Sequence, residues 1–144
     1  MDTSHLSRNQ AATRRLTELA ARLTEEDLGR SLGGGWTIKA ALAHLAFWDR
    51  FATALLDDWS VRGFQPVASS PDHINAAALA DWLALDPEQV RREAVAAAQA
   101  IDQRVEAVSP DLAEAMVAGG RGRMLDRSVH RGAHCDQIEE ALHP

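Results

Sequence analysis

A chain of 144 residues with a net charge of −6 and one cysteine excludes several classes at once. It is long enough to bury a core without disulfide staples, and its acidity argues against a general nucleic-acid binder, which would show a basic face. No stretch is long and apolar enough to span a bilayer, so neither a membrane nor a nucleic-acid partner is expected. The opening MDTSHLSRNQ lacks a signal peptide's apolar core, and the lone Cys135 suits a reducing compartment; together they lead to the expectation of a cytoplasmic protein. Alanine leads the composition and proline is scarce, which favours helices, gathered in a single domain over residues 1–144.

In chain order, Ser4 or Thr3 caps a first helix to about Leu23, with Leu6, Ala12, Leu16, Leu19, Ala20 and Leu23 as its apolar stripe. Thr24 caps a short turn whose acids, Glu25 to Asp27, suit a helix N-terminus. Gly33-Gly34-Gly35 break that turn. They lack the Gly-Lys-Ser/Thr ending of a phosphate-binding loop and are read as a linker that tucks Trp36 against the bundle. Thr37 caps a second long helix, Ile38 to Val61. At about 100° per residue its Ile38, Leu42, Leu45, Ala52, Leu56 and Trp59 share one broad face. His44 lies at the edge of that face, beside Trp48 and Phe51.

A loop from Gly63 to Pro71 leads to a shorter helix, Asp72 to Leu85. Asp86-Pro87-Glu88 then opens a third long helix to about Val108, with Asp as cap and Pro at the first helical position. Ser109-Pro110-Asp111 starts a short helix to Ala118, Gly119, Gly120 and Gly122 interrupt, and a last helix runs from Arg123 to Leu142. The arginines at 121, 123, 127 and 131 are read as a solvated face. No strand-like alternation, repeat or sustained heptad is present. The fold expected is all-α, a four-helix bundle with short extra helices, and sites in such bundles form in the core between facing helices.

His130 and His134 stand four apart on the last helix, within about 40° of one another, so both imidazoles can reach one metal ion. The zinc-protease arrangement needs Glu after the first His; Arg131 stands there instead. His44 is the best third ligand, since its helix is amphipathic and its position half-buried, whereas His5, His73 and His143 are expected to be exposed. Three histidines with an open position suit zinc, nickel or ferrous iron; the other reading is three packing histidines. Asp49 falls near the core side, either as a carboxylate that orients a histidine or, with the helix slightly rotated, as a solvated one. Arg127 is read either as a clamp on an anionic substrate or as a surface salt-bridge partner. Cys135 is read as an incidental small side chain rather than a nucleophile.

The run Gly35-Trp36-Thr37 leading to Lys39, then His44-Leu45 and Trp48-Asp49, resembles the DinB/YfiT-like family, to which metalloenzyme chemistry is ascribed. Asp72 and Asn75 look like that family's Asp-x-x-Asn segment, and His130 and His134, followed by Gln137-Ile138, match the H-x3-H of its last helix. The resemblance spans nearly the whole chain. It implies a four-helix bundle, commonly a homodimer, with a divalent metal on His44, His130 and His134. Trp48 and Asn75 then line the site, or Asn75 caps its helix. Relatives include thiol-dependent S-transferases and a mycothiol-dependent maleylpyruvate isomerase, whose long C-terminal extension this chain lacks. The implied activity is metal-dependent activation of a low-molecular-weight thiol, mycothiol or bacillithiol, for addition to a small-molecule electrophile. Two rivals stand beside it: a metal-dependent hydrolase using the same histidines, and a non-catalytic, stress-related ligand-binding bundle.

Overall fold

Capping residues set where most helices begin. The computed structural model describes residues 2–143, which form α1 (Ser4–Arg22), α2 (Glu25–Leu28), β1 (Ser31–Gly33), β2 (Trp36–Thr37), α3 (Ile38–Arg62), α4 (Pro71–Ala84), α5 (Pro87–Glu106), α6 (Pro110–Ala118) and α7 (Ser128–Leu142). The Thr24 hydroxyl accepts from Asp27 N while the Asp27 carboxylate accepts from Thr24 N, a reciprocal capping box. Thr37, Asp86 and Ser109 cap α3, α5 and α6 in the same manner, each accepting from a backbone N–H three residues on. Three cations close helix C-termini, where orphan carbonyls gather. Arg91 donates to Ala20 O and Leu23 O beyond α1, Lys39 Nζ donates to Leu83 O and Leu85 O at 2.7 Å, and Arg30 donates to Ala141 O at 3.1 Å. The Lys39 contacts tie α4 to the start of α3.

Four long helices, α1, α3, α5 and α7, form the bundle, so the all-α expectation holds. α1 packs on α5 and α7, α3 packs on α5, and α4 lies across α3. The seam between α3 and α7 is the loosest of the bundle's four. Leu16, Leu19, Leu42, Leu45, Ala94, Ala98 and Ile138 belong to one buried cluster, and Leu56, Trp59, Ile101, Val105 and Met116 to a second. Among the described residues, no helix is long and apolar enough to cross a membrane.

Three expectations need correction. The glycine run is a hairpin turn rather than a linker: β1 and β2 pair antiparallel, and Gly33, Gly34 and Gly35 all have positive φ, between 60° and 90°. Side chains with a Cβ rarely adopt that region, which is why glycines stand there. The last helix starts at Ser128 rather than Arg123, after a 3-10 turn at Gly122–Met124. Asn9 on α1 fixes that start: its Oδ1 accepts from Arg127 N at 2.8 Å and Ser128 N at 3.2 Å, while its Nδ2 donates to Leu125 O.

The third correction concerns the arginines. Arg131 has 0% exposure and Arg127 8%, so neither belongs to a solvated face. Arg131 lies on the core side of α7 with Cys135 and Ile138, four and seven residues on. Its Nη2 donates to Asp102 Oδ1 at 2.8 Å, and its Nη1 reaches Thr13 Oγ1 at 2.8 Å and Asn9 O at 3.2 Å. One guanidinium therefore joins α7 to α1 and α5, and its Nε lies 3.5 Å from Asp49 Oδ2 on α3. Removing one partner of a buried ion pair leaves the other charge desolvated and alone. Arg131→Met is expected to lower stability by about 3–5 kcal/mol in guanidinium chloride melts, and a loss under about 1 kcal/mol would contradict this role.

Candidate metal centre

The loose α3–α7 seam is where the three histidines meet. His44 comes from α3, and His130 and His134 stand one turn apart on α7. One ligand atom from each lies within 4.8 Å of the other two, and the three ring centroids are 4.8 to 4.9 Å apart. His44 Nε2 and His130 Nε2 are separated by 2.9 Å.

Neighbouring side chains determine which nitrogens face the centre. The Trp48 indole Nε1 is only ever a donor, and it donates to Asn75 Oδ1 at 2.8 Å. That contact directs the amide oxygen, not the amide nitrogen, toward His44 Nδ1, 3.2 Å away. His44 therefore carries its proton on Nδ1, and its Nε2 lone pair points to the shared centre. On α7, Gln137 Oε1 lies 3.1 Å from His134 Nδ1 and favours the same tautomer there. Ligating imidazoles characteristically have their outer N–H held by an oxygen in this way.

Burial keeps the rings neutral. Desolvation first, then the His134 ring and the Arg127 charge, lower the His44 pKa to about 4 despite the opposing Asn75 bond. Desolvation, His134 and Arg127 lower that of His130 to about 3, and burial also lowers that of His134. Near neutral pH all three rings are uncharged, the state that ligation requires. The donor set therefore fits a divalent cation: three neutral imidazoles, two of them with the outer nitrogen held by an amide oxygen, in a half-buried pocket. Trp36, held over the centre by the hairpin, and Trp82, on α4, pack edge-on to His44 with ring centroids 5.5 and 5.6 Å away.

Two clefts open onto this centre. The larger, about 480 Å3, includes His44, His130, Trp48, Phe51, Arg123 and Arg127 in its lining. The smaller, about 280 Å3, includes His44, His134, Trp36 and Gln137.

A family model described as the DinB superfamily matches residues 8–134. The chain belongs to the DinB superfamily. The match takes in all three histidines, and the superfamily together with the histidine cluster allows a metal-binding protein. No curated protein and no solved structure matches the chain.

Within this DinB-superfamily bundle, the other expected site residues divide. Trp48 and Asn75 stand at the centre, and Asn75 is no helix cap, since Ser70 holds that position in α4. Asp49 is neither wet nor a partner of a histidine. It has 1% exposure and accepts from Arg127 Nε at 3.0 Å. Arg127 is consequently a buried ion-pair partner rather than a surface one. Cys135 is fully buried, and desolvation raises its thiol pKa, in keeping with an unreactive side chain. His73 and His143 are exposed, while His5 is half-buried, contrary to expectation. Arg131, Asp102 and Asn9 were not anticipated. No spacing rule singles out a lone arginine on an apolar helix face, although its place among Cys135 and Ile138 at helical intervals is a usable signal.

The Trp48–Asn75–His44 chain generates a test. Asn75→Leu keeps the shape of that position and removes the oxygen. Zinc affinity measured with a competing chelator is expected to fall by about 10- to 100-fold. Unchanged affinity would show that Asn75 does not orient His44.

Proposed function

We propose that the chain is a metal-dependent enzyme that adds a low-molecular-weight thiol, such as mycothiol or bacillithiol, to a small electrophile. The observation that carries the reading is the convergence of two clefts on three neutral histidines, His44, His130 and His134. One reactant in each cleft places both against the same centre, and holding two reactants together removes much of the entropic cost of their encounter. A hydrolase has need of only one such cleft besides water. The chain's one cysteine is sealed in the core, so the thiol must come from outside.

The reading assigns a zinc, nickel or ferrous ion to the three histidines, where it supplies Lewis acidity that lowers the pKa of a thiol reaching it. The chain's own groups do the rest. Asn75 holds the His44 proton on Nδ1, Trp48 holds Asn75, and Trp36 and Trp82 pack against the His44 ring and hold it in place. The S–H proton passes to solvent, a sulfur–carbon bond forms, and the displaced π pair of the electrophile takes up a proton, so nothing leaves.

The test is thiol consumption by the full chain, loaded in turn with zinc, nickel and ferrous iron, against a panel of unsaturated electrophiles. Metal-dependent thiol loss above the uncatalysed rate, absent in His44→Ala, is the expected result. Turnover without thiol and with incorporation of solvent oxygen would establish a hydrolase instead.

A further inference from the structure

The larger cleft beside the histidines is chemically uneven. Its lining combines the apolar Trp48, Phe51, Met124 and Val129 with the cationic Arg123 and Arg127. We infer that this cleft takes a substrate bearing a carboxylate, held by the free edge of Arg127 with Arg123 at the rim. The inference rests on the proposed function and specifies the class of its electrophile: a small unsaturated acid with an apolar body.

Arg127 carries the argument. Its Nε donates to Asp49 and its Nη1 to Arg123 O at 3.3 Å. Among the described residues, Nη2 has no hydrogen-bond partner, and it is not among the atoms sealed from solvent. The side chain is otherwise nine-tenths buried, so its small exposed part is the part that meets the cleft. A guanidinium does not give up its proton, and it cannot rotate away while Asp49 holds it. The result is a fixed, charged donor with no acceptor, beside His44 and His130.

Charge balances within the buried group, so what Arg127 offers the cleft is an unpartnered N–H edge rather than a net charge. Asp49 also faces Arg131, and Arg131 is paired with Asp102, so the buried group contains two cations and two carboxylates. Asp126 lines the same cleft, but its Oδ2 accepts from Arg8 at 2.9 Å and its Oδ1 from Ser128. Arg123 is exposed and makes no ion pair among the described residues. Asn9 accepts from the backbone N–H groups of Arg127 and Ser128 at the start of α7, and the guanidiniums are the charged donors in the cleft lining. Paired donors on a planar cation match the two oxygens of a carboxylate, and the apolar lining residues suit a hydrocarbon body.

The experiment is calorimetric titration of the chelated, full-length protein with benzoate, with its neutral counterpart benzamide and with inorganic phosphate. Benzoate is expected to bind about tenfold or more tightly than benzamide, and Arg123→Gln to remove part of that difference. Arg127→Lys keeps a cation beside Asp49 while deleting the free edge, and should weaken benzoate similarly with no change in benzamide. Circular dichroism melts confirm that the variant folds; should it not, Arg123→Gln, on the exposed rim, still decides. Equal binding of benzoate and benzamide, phosphate binding as tight as benzoate, or full benzoate affinity in Arg123→Gln would overturn the inference. Because no metal is present, this outcome is separate from the thiol assay: metal-dependent thiol loss without a benzoate preference defeats the carboxylate alone.

Discussion

Arg131 is a cation placed where an ordinary bundle would put a leucine. Desolvating it costs several kcal/mol, and only close partners offset that cost. Asp102 on α5, Thr13 and the Asn9 carbonyl on α1, and Asp49 on α3 are those partners. They lie on three different helices, so the charge is balanced only when the helices sit at one rotation and one height. Apolar packing of alanines and leucines tolerates sliding far better than such a pair does. α7 needs this most, because its side facing the core offers little else: Cys135 and Ile138 complete its set of buried residues.

The phase of α7 decides where its histidines point. With Arg131 turned to the core and Asn9 fixing the first turn, His130 and His134 are turned into the α3–α7 seam. From the opposite side, Lys39 ties the end of α4 to α3, which sets Asn75 against His44 and Trp48. Two polar systems thus converge on one cluster. The first fixes the positions of the rings. The second fixes the proton of His44, and burial keeps all three rings uncharged. Asp49 belongs to the first system, through Arg127, although it stands next in sequence to a residue of the second.

Much of this is legible in the sequence alone. Caps at Thr24, Thr37, Asp86 and Ser109 are local, so the sequence announces them, and the apolar face of α3 follows directly from helical periodicity. The three histidines were legible because H-x3-H and the edge position of His44 are again matters of spacing within single helices, joined by the family resemblance. What escaped was long-range. Arg127 and Arg131 read as surface residues because arginine usually is one, and nothing nearby in sequence reveals that Asp49 and Asp102 wait across the bundle. The start of α7 escaped for the same reason, since its cap comes from Asn9, more than a hundred residues earlier. The hairpin escaped because strands of three and two residues are too short for alternation to register.

The central claim is that His44, His130 and His134 act together as one metal site. Elemental analysis of the purified, untagged protein tests it most directly, with His44→Ala and His130→Ala analysed in parallel. The account predicts close to one divalent metal per chain in the parent and little in either variant, with all three proteins folded. A parent that carries no metal and fails to take up added zinc or nickel would contradict it, and so would a His44→Ala variant that keeps its metal.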